Sequence, residues 1–272
     1  MTSIETEPLQ AAAERLRQAG TLRRPCGPVR ELVGPGGITA AYAVQRLVLE
    51  LQRIGGEQVR GRRVVVTPRG LDGEPLATEP VVGVILESML VASGAQIPMS
   101  RLLQPSVEPA VAIRLATDLG WPATDEEIRA AIAGVALAVD VADRRVDDGG
   151  ATVVDVVADN ASTGMVVLAE QFVEIEPTGD EVVEIGLAEL PGVVRRLTGG
   201  DLVEALSWLA RAAAGQDDPL AAEEVIVLTG YPGARADPAE GDRFQAVATG
   251  LASAVATFTA TTSLHRSEEA SA

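Results

Sequence analysis

The chain has 272 residues, room for one large domain or for a domain with a small appendage. With 47% hydrophobic and 22% charged residues it carries enough apolar side chain for a sizeable core, which excludes global disorder. Thirty-nine acidic against 22 basic residues leave a net charge of -17, a surface that repels phosphate backbones and anionic lipid and so excludes nucleic acid and membrane surfaces as expected partners.

Glu5 to Gln18 reads as an amphipathic helix with Leu9, Ala12, Ala13 and Leu16 along one stripe, ending at Gly20. A linker rich in Arg, Pro and Gly follows, from Arg23 to Gly37. A second helix is predicted from Ile38 to Ile54, with Ile38, Ala41, Tyr42, Val48 and Leu51 on its inner side and Gly55-Gly56 as its stop. β-Branched runs then predict strands at Val64–Thr67, Val81–Ile85 and Val107–Leu115. Thr124 followed by Glu127 is a capping box opening a helix through Ala133. Further strands are predicted at Ala136–Val141, Val153–Val157, Met165–Leu168, Val225–Leu228, Phe244–Val247 and Leu251–Phe258, with a helix at Asp201–Ala214 closed by Gly215. Without regular βαβ alternation, the pattern predicts an α+β fold on a mixed, largely antiparallel sheet. Residues 1–60 read as a helical N-terminal segment, 61–260 as the catalytic-type domain and 261–272 as a flexible tail.

The missing residue types narrow the chemistry. All 22 basic residues are Arg, so Schiff-base and Lys general-base catalysis are excluded. The one histidine, His265, sits in the polar tail, which argues against a Ser-His-Asp arrangement. Cys26 is the sole cysteine, so neither an internal disulfide nor a Cys-cluster metal site is available. Proton transfer must therefore run through Asp, Glu, Tyr, Ser, Thr or water. The start carries acids rather than an apolar signal, and no apolar run reaches the roughly 20 residues that span a bilayer, so a cytoplasmic protein is expected. Gly34-Pro35-Gly36-Gly37 precedes a helix but lacks a Lys and a preceding strand, which makes it a loop rather than a phosphate cradle.

Several segments, in order, carry a family resemblance: Pro28-Val29-Arg30-Glu31-Leu32 with Ala40 to Gln45; Ile97 to Pro105; Val157-Ala158-Asp159-Asn160-Ala161-Ser162; Ser207 to Arg211; and Leu228-Thr229-Gly230 followed by Gly241 to Phe244 and Gly250. Together they resemble the 2-keto-4-pentenoate hydratase and 4-oxalocrotonate decarboxylase family of the fumarylacetoacetate hydrolase superfamily. The resemblance implies a curled, mixed β fold with helices packed outside, assembled as a homo-oligomer. It implies a lyase-like enzyme that hydrates or decarboxylates 2-keto dienoic acids on a divalent metal held by three carboxylates, with a Lys nearby.

At those positions the sequence departs. The family's Glu-x-Glu pair falls on Glu108-Pro109-Ala110, so the second carboxylate is a methyl group; the third ligand falls on Asp140 and the Lys on Arg63. A further family acid falls on Val81. Two carboxylates are a thin donor set for magnesium, and the expectation is no cofactor, with Mg2+ doubtful. The resemblance then implies Glu108, Asp140 and Arg63 as catalytic groups, Ser162 and Thr229 orienting substrate oxygens, and Val81, Ala110 and Leu228 lining a drier pocket for an apolar or conjugated keto substrate. Three readings follow: a metal-independent lyase, isomerase or cyclase of a biosynthetic pathway; a conventional Mg-dependent hydratase or decarboxylase; and a non-catalytic assembly subunit.

Overall fold

A computed structural model describes residues 6–69, 74–147, 150–174, 182–191, 194–231 and 235–260. His265 and the predicted tail lie outside the described residues. Helix α1 spans Thr6–Leu22, α2 Arg30–Val33 and α3 Gly37–Ile54. The strands β1 (Val59–Val65), β2 (Val81–Leu86), β3 (Leu90–Ala92), β4 (Ala95–Pro98) and β5 (Pro105–Leu115) come next. They are followed by α4 (Asp125–Ala130), β6 (Ile132–Asp143), α5 (Val153–Ala158) and β7 (Thr163–Leu168). The rest is β8 (Val183–Leu187), β9 (Val194–Leu197), α6 (Gly199–Ala214), β10 (Val225–Thr229), β11 (Arg243–Ala248) and β12 (Ala254–Thr259).

The strands form two sheets. The larger has the order β2-β1-β10-β5-β6-β7-β3, the smaller β4-β12-β11-β8-β9. Among the described strands, only β1 with β10, β3 with β7 and β4 with β12 pair in parallel. The predicted mixed, largely antiparallel α+β fold is what forms, and the large sheet curls.

Period-two alternation divides the large sheet into two faces. Val64, Val111, Ile113, Leu137, Val139, Val141, Ile226 and Leu228 point to one face, where they pack on Ile185, Leu187, Phe244 and Phe258 of the small sheet and on Leu202, Leu206 and Leu209 of α6. On the other face, Ala110, Ala112, Ala138, Val225 and Val227 make an apolar bed with Leu49 and Ile85. Beside it, Val65 and Val81 are covered by Leu9, Ala12, Ala13 and Leu16 of α1 and by Ala40, Ala41 and Val44 of α3. The site lies on this second face, past the end of the alanine bed.

The structure corrects several local expectations. Val153–Ala158 is a helix rather than a strand, because Thr152 and Asp155 form a capping box at its start, with the Asp155 carboxylate accepting from the Thr152 N–H at 2.9 Å and hydroxyl at 3.0 Å. The same carboxylate accepts from the Val29 and Arg30 amides and from the Arg30 guanidinium, so it ties the helical layer to α5. Helix α3 buries Ala40, Ala41, Val44, Gln45 and Leu49, while Ile38 and Leu51 face outward. Ala41, Tyr42 and Val48 pack inward as predicted, and a polar residue that an apolar count misses holds the middle of that face: the Gln45 amide donates to the Val82 and Val157 carbonyls. The short α2, β3, β4 and β9 were not predicted, and neither was β8, although the alternation Val183-Glu184-Ile185-Gly186-Leu187 carries a period-two signal.

Candidate active site

Arg63, Thr229, Glu108 and Asp140 lie on four consecutive strands, β1, β10, β5 and β6, all on the helix-covered face. Glu108 and Asp140 are directly opposite in the β5–β6 pairing. Each strand contributes at its own period-two position, so the four side chains converge.

Arg63, 3% exposed, grips Asp140, 1% exposed, through Nε to Oδ1 at 2.8 Å and Nη2 to Oδ2 at 2.6 Å. Its Nη1 donates to the Ala161 carbonyl at 2.6 Å. Burial alone lowers the guanidinium pKa, but the Asp140 and Glu108 charges reverse this and hold it above the usual value. The Thr229 hydroxyl lies 2.9 Å from Asp140 Oδ2 and 3.3 Å from Glu108 Oε2. Glu108 Oε2 also accepts from the Gly230 amide at 3.1 Å. Gly230 has φ +74, and a Cβ there would overlap the Val65 side chain, so only glycine brings this amide onto Glu108. Burial, then the neighbouring Asp140 charge, pushes the Glu108 carboxyl above its ordinary range, with Arg63 pulling it partly back.

Glu108 and Arg63 face a cavity of about 40 Å³, room for a few water molecules. Ser162, one of the candidate oxygen-orienting residues, lines it, and so does Gly230. Ser106, Arg69, Arg144 and Arg235 line it too and escaped the sequence reading. Ser106 was accessible to the period-two rule, two residues before Glu108 on the same strand; the arginines come from loops.

Other expected positions fall elsewhere. Leu228 points to the opposite face of the sheet, into the core between the sheets, because β10 alternates and Thr229 takes the site side. Val81 is buried under α1 and α3. Ala110 lies in the apolar bed beneath the site and does not line the cavity. The cavity wall is correspondingly less apolar than expected: Val65, Ala142, Val156 and Ala161 share it with four arginines. In the signature around Asp159, the carboxylate is structural, accepting from the Arg145 amide and guanidinium at 2.8 Å each.

A divalent ion has little to bind here. Among the described residues no three His, Cys, Asp or Glu side chains group as a metal site. Both Asp140 oxygens are engaged by Arg63, and the Ala110 side chain offers no oxygen. The donor set does not fit a magnesium ion, which seeks six oxygens in octahedral array.

A 2-keto-4-pentenoate hydratase from Burkholderia vietnamiensis is 32% identical over 256 residues, covering 92% of this chain and 97% of that protein. The chain belongs to the 2-keto-4-pentenoate hydratase family. A TodF product hydratase from Pseudomonas putida is 29% identical over 264 residues, covering 95% of this chain and 98% of that protein. No family model matches the chain. Among solved structures, the 4-oxalocrotonate decarboxylase from Pseudomonas putida G7, complexed with magnesium and adipate, superposes with a TM-score of 0.82 at 22% identity, over 94% of this chain and 99% of that one. The fold is thus of the fumarylacetoacetate hydrolase type, and the chain is a member of a family of lyase-type enzymes. No helix among the described residues is long and apolar enough to cross a membrane.

Proposed function

We propose that this protein is a lyase of the hydratase and decarboxylase type that moves protons on a conjugated 2-oxo acid with its own side chains rather than on a bound metal. The observation that carries this reading is the Arg63–Asp140 pair, in which a guanidinium occupies both oxygens of a carboxylate that a cation would need.

Glu108 is the proton-carrying group. Burial and the neighbouring Asp140 charge favour a proton on Glu108, against the pull of Arg63, the Gly230 amide and Arg235. The Thr229 hydroxyl has a single hydrogen and serves the nearer Asp140, which leaves its lone pairs toward Glu108, an arrangement that suits a neutral carboxylic acid. In a hydration, neutral Glu108 gives its proton to one carbon of the double bond, and the resulting carboxylate takes one from the water that adds to the other carbon. Arg63 and the arginines of the wall supply positive charge for the acid substrate and for negative charge developing on its 2-oxo oxygen. That wall favours an anionic conjugated acid over a neutral polyene. The hydratases and the decarboxylase to which the chain is similar support the same class of substrate.

A metal-assisted hydratase is the second reading. It is favoured by the full-length likeness to a hydratase and by the magnesium held in the solved decarboxylase. Turnover of a 2-hydroxydienoate with and without a chelator separates the two. The expected result is activity that survives EDTA and is lost in Glu108→Gln. Activity abolished by EDTA and restored by magnesium overturns the metal-independent reading.

A further inference from the structure

Between α5 and β7 the backbone makes a left-handed turn of three consecutive non-glycine residues: Asn160 at φ +53, Ala161 at +51 and Ser162 at +56. Residues with a Cβ seldom occupy this region even singly, so three together need support from around them. The support is visible. The Asn160 side chain pairs with the backbone of Val84 as a neighbouring strand would, Oδ1 accepting from the Val84 N–H at 2.7 Å and Nδ2 donating to the Val84 carbonyl at 2.8 Å. β2 is an edge strand, and this amide occupies its otherwise open ladder positions. The Thr163 hydroxyl donates to the Asn160 carbonyl at 2.6 Å, and the Ser162 amide donates to the Asp159 carbonyl at 2.8 Å. Gly83 makes the approach possible, since a Cβ there would overlap Thr163 Oγ1 and the Asn160 carbonyl.

The turn delivers two groups to the site. The Ala161 carbonyl accepts from Arg63 Nη1, and Ser162 lines the cavity. The third bond, from Nη1 to the Ala161 carbonyl, fixes the side of the guanidinium that the two bonds to Asp140 leave unbound. We propose that Asn160 is a positioning residue: by fastening the left-handed turn to β2, it aims the Ala161 carbonyl at Arg63 and holds the guanidinium against Asp140 at the wall of the cavity.

The catalytic half of this inference rests on the proton-transfer reading of Glu108; the clamp itself does not. Asn160→Gly tests it, because glycine accepts φ +53 without strain and only the amide is lost. The readout is the set of Nε and Nη signals of Arg63 in protein labelled with nitrogen-15 arginine, assigned by their disappearance in Arg63→Gln. The wild type is expected to show distinct Nη signals from hindered rotation. Asn160→Gly is expected to average them, with kcat lower on the order of ten- to a hundredfold and KM little changed. If Asn160→Gly does not fold, Asn160→Asp, which keeps the acceptor for Val84 N–H but not the donor, carries the same readout. Arg63 signals that stay distinct in the variant overturn the clamp, whatever happens to Tm. Averaged signals with unchanged kcat overturn the positioning role. If instead Glu108→Gln keeps full turnover, the proton-transfer reading fails while the Arg63 signals still report the clamp.

Discussion

Arg63 reaches Asp140 across two intervening strands, β10 and β5, and meets it side-on with two parallel hydrogen bonds. Three strand spacings of flat sheet span roughly 14 Å, so the length of an arginine and the curl of the sheet are both needed to close the gap. The pair is almost wholly buried, which makes its integrity a matter of folding as well as chemistry.

Removing one partner strands the other. Arg63→Ala leaves Asp140 charged, buried and short of its cation, and is expected to destabilise the protein by about 3–5 kcal/mol. Arg63→Lys keeps a charge but cannot fork onto both oxygens, and is expected to fall between the variant and the wild type. Urea denaturation at neutral pH measures both. An Arg63→Ala protein as stable as the wild type would show that the pair does not bear on folding.

The raised pKa of Glu108 has two signatures with a fixed sign. Its ordinary value is 4.5 and burial lifts it in the folded state. The folded protein therefore holds this proton more tightly than the unfolded chain, a contribution present in full below 4.5 and lost as pH rises through the raised value. Against Glu108→Gln, the wild type is expected to lose relative stability as pH rises from 4.5 through the raised value. In the same window kcat/KM should fall with rising pH, and Glu108→Gln should lower it by about 10²–10⁴ at low pH. Melting curves and a pH–rate profile check the two signatures independently; parallel stability curves for the two proteins would mean that Glu108 titrates normally.

Gly83 is the hinge point between β2 and the left-handed turn. In Gly83→Ala the new methyl meets the Asn160 carbonyl oxygen and Thr163 Oγ1, and at least one must move. Since one of the obstacles is backbone, a cost of about 1–3 kcal/mol is expected, with a larger proportional loss of kcat than of KM as the Ala161 carbonyl leaves Arg63. Steady-state kinetics beside thermal melts measure this, and unchanged kcat in a destabilised protein would count against it.

Asp155 fastens the helical layer. Its carboxylate accepts from the Thr152, Val29 and Arg30 amides, the Thr152 hydroxyl and the Arg30 guanidinium. Asp155→Ala removes a cap and the staple together and is expected to cost about 2–4 kcal/mol. Hydrogen exchange should speed at Val29 and Arg30 while the strands of the large sheet keep their protection. Equal acceleration in both places would show that the layer and the sheet open as one.

The sequence by itself determined the fold class, the long helices and strands, and the chemistry that is unavailable, because these follow from residue types and from hydrophobic periods that local geometry imposes. The absence of Lys leaves proton transfer to carboxylates, and the Glu108-Pro109-Ala110 and Asp140 segments already marked two of the residues that now converge. Tertiary structure alone decided what surrounds them. Leu228 and Thr229 are neighbours in sequence, and only the pairing of β10 with β1 and β5 assigns one to the core and the other to the site. The Val153–Ala158 segment reads as a strand by its β-branched residues, and its capping carboxylate and its packing against α1 and α3 override that preference. The Asp159-Asn160-Ala161-Ser162 segment could be read locally as a turn, but not as a left-handed one: that conformation is held by Val84, 76 residues earlier, and by the room that Gly83 leaves. A strained backbone is stable only through partners brought from afar, and a sequence read locally does not contain them.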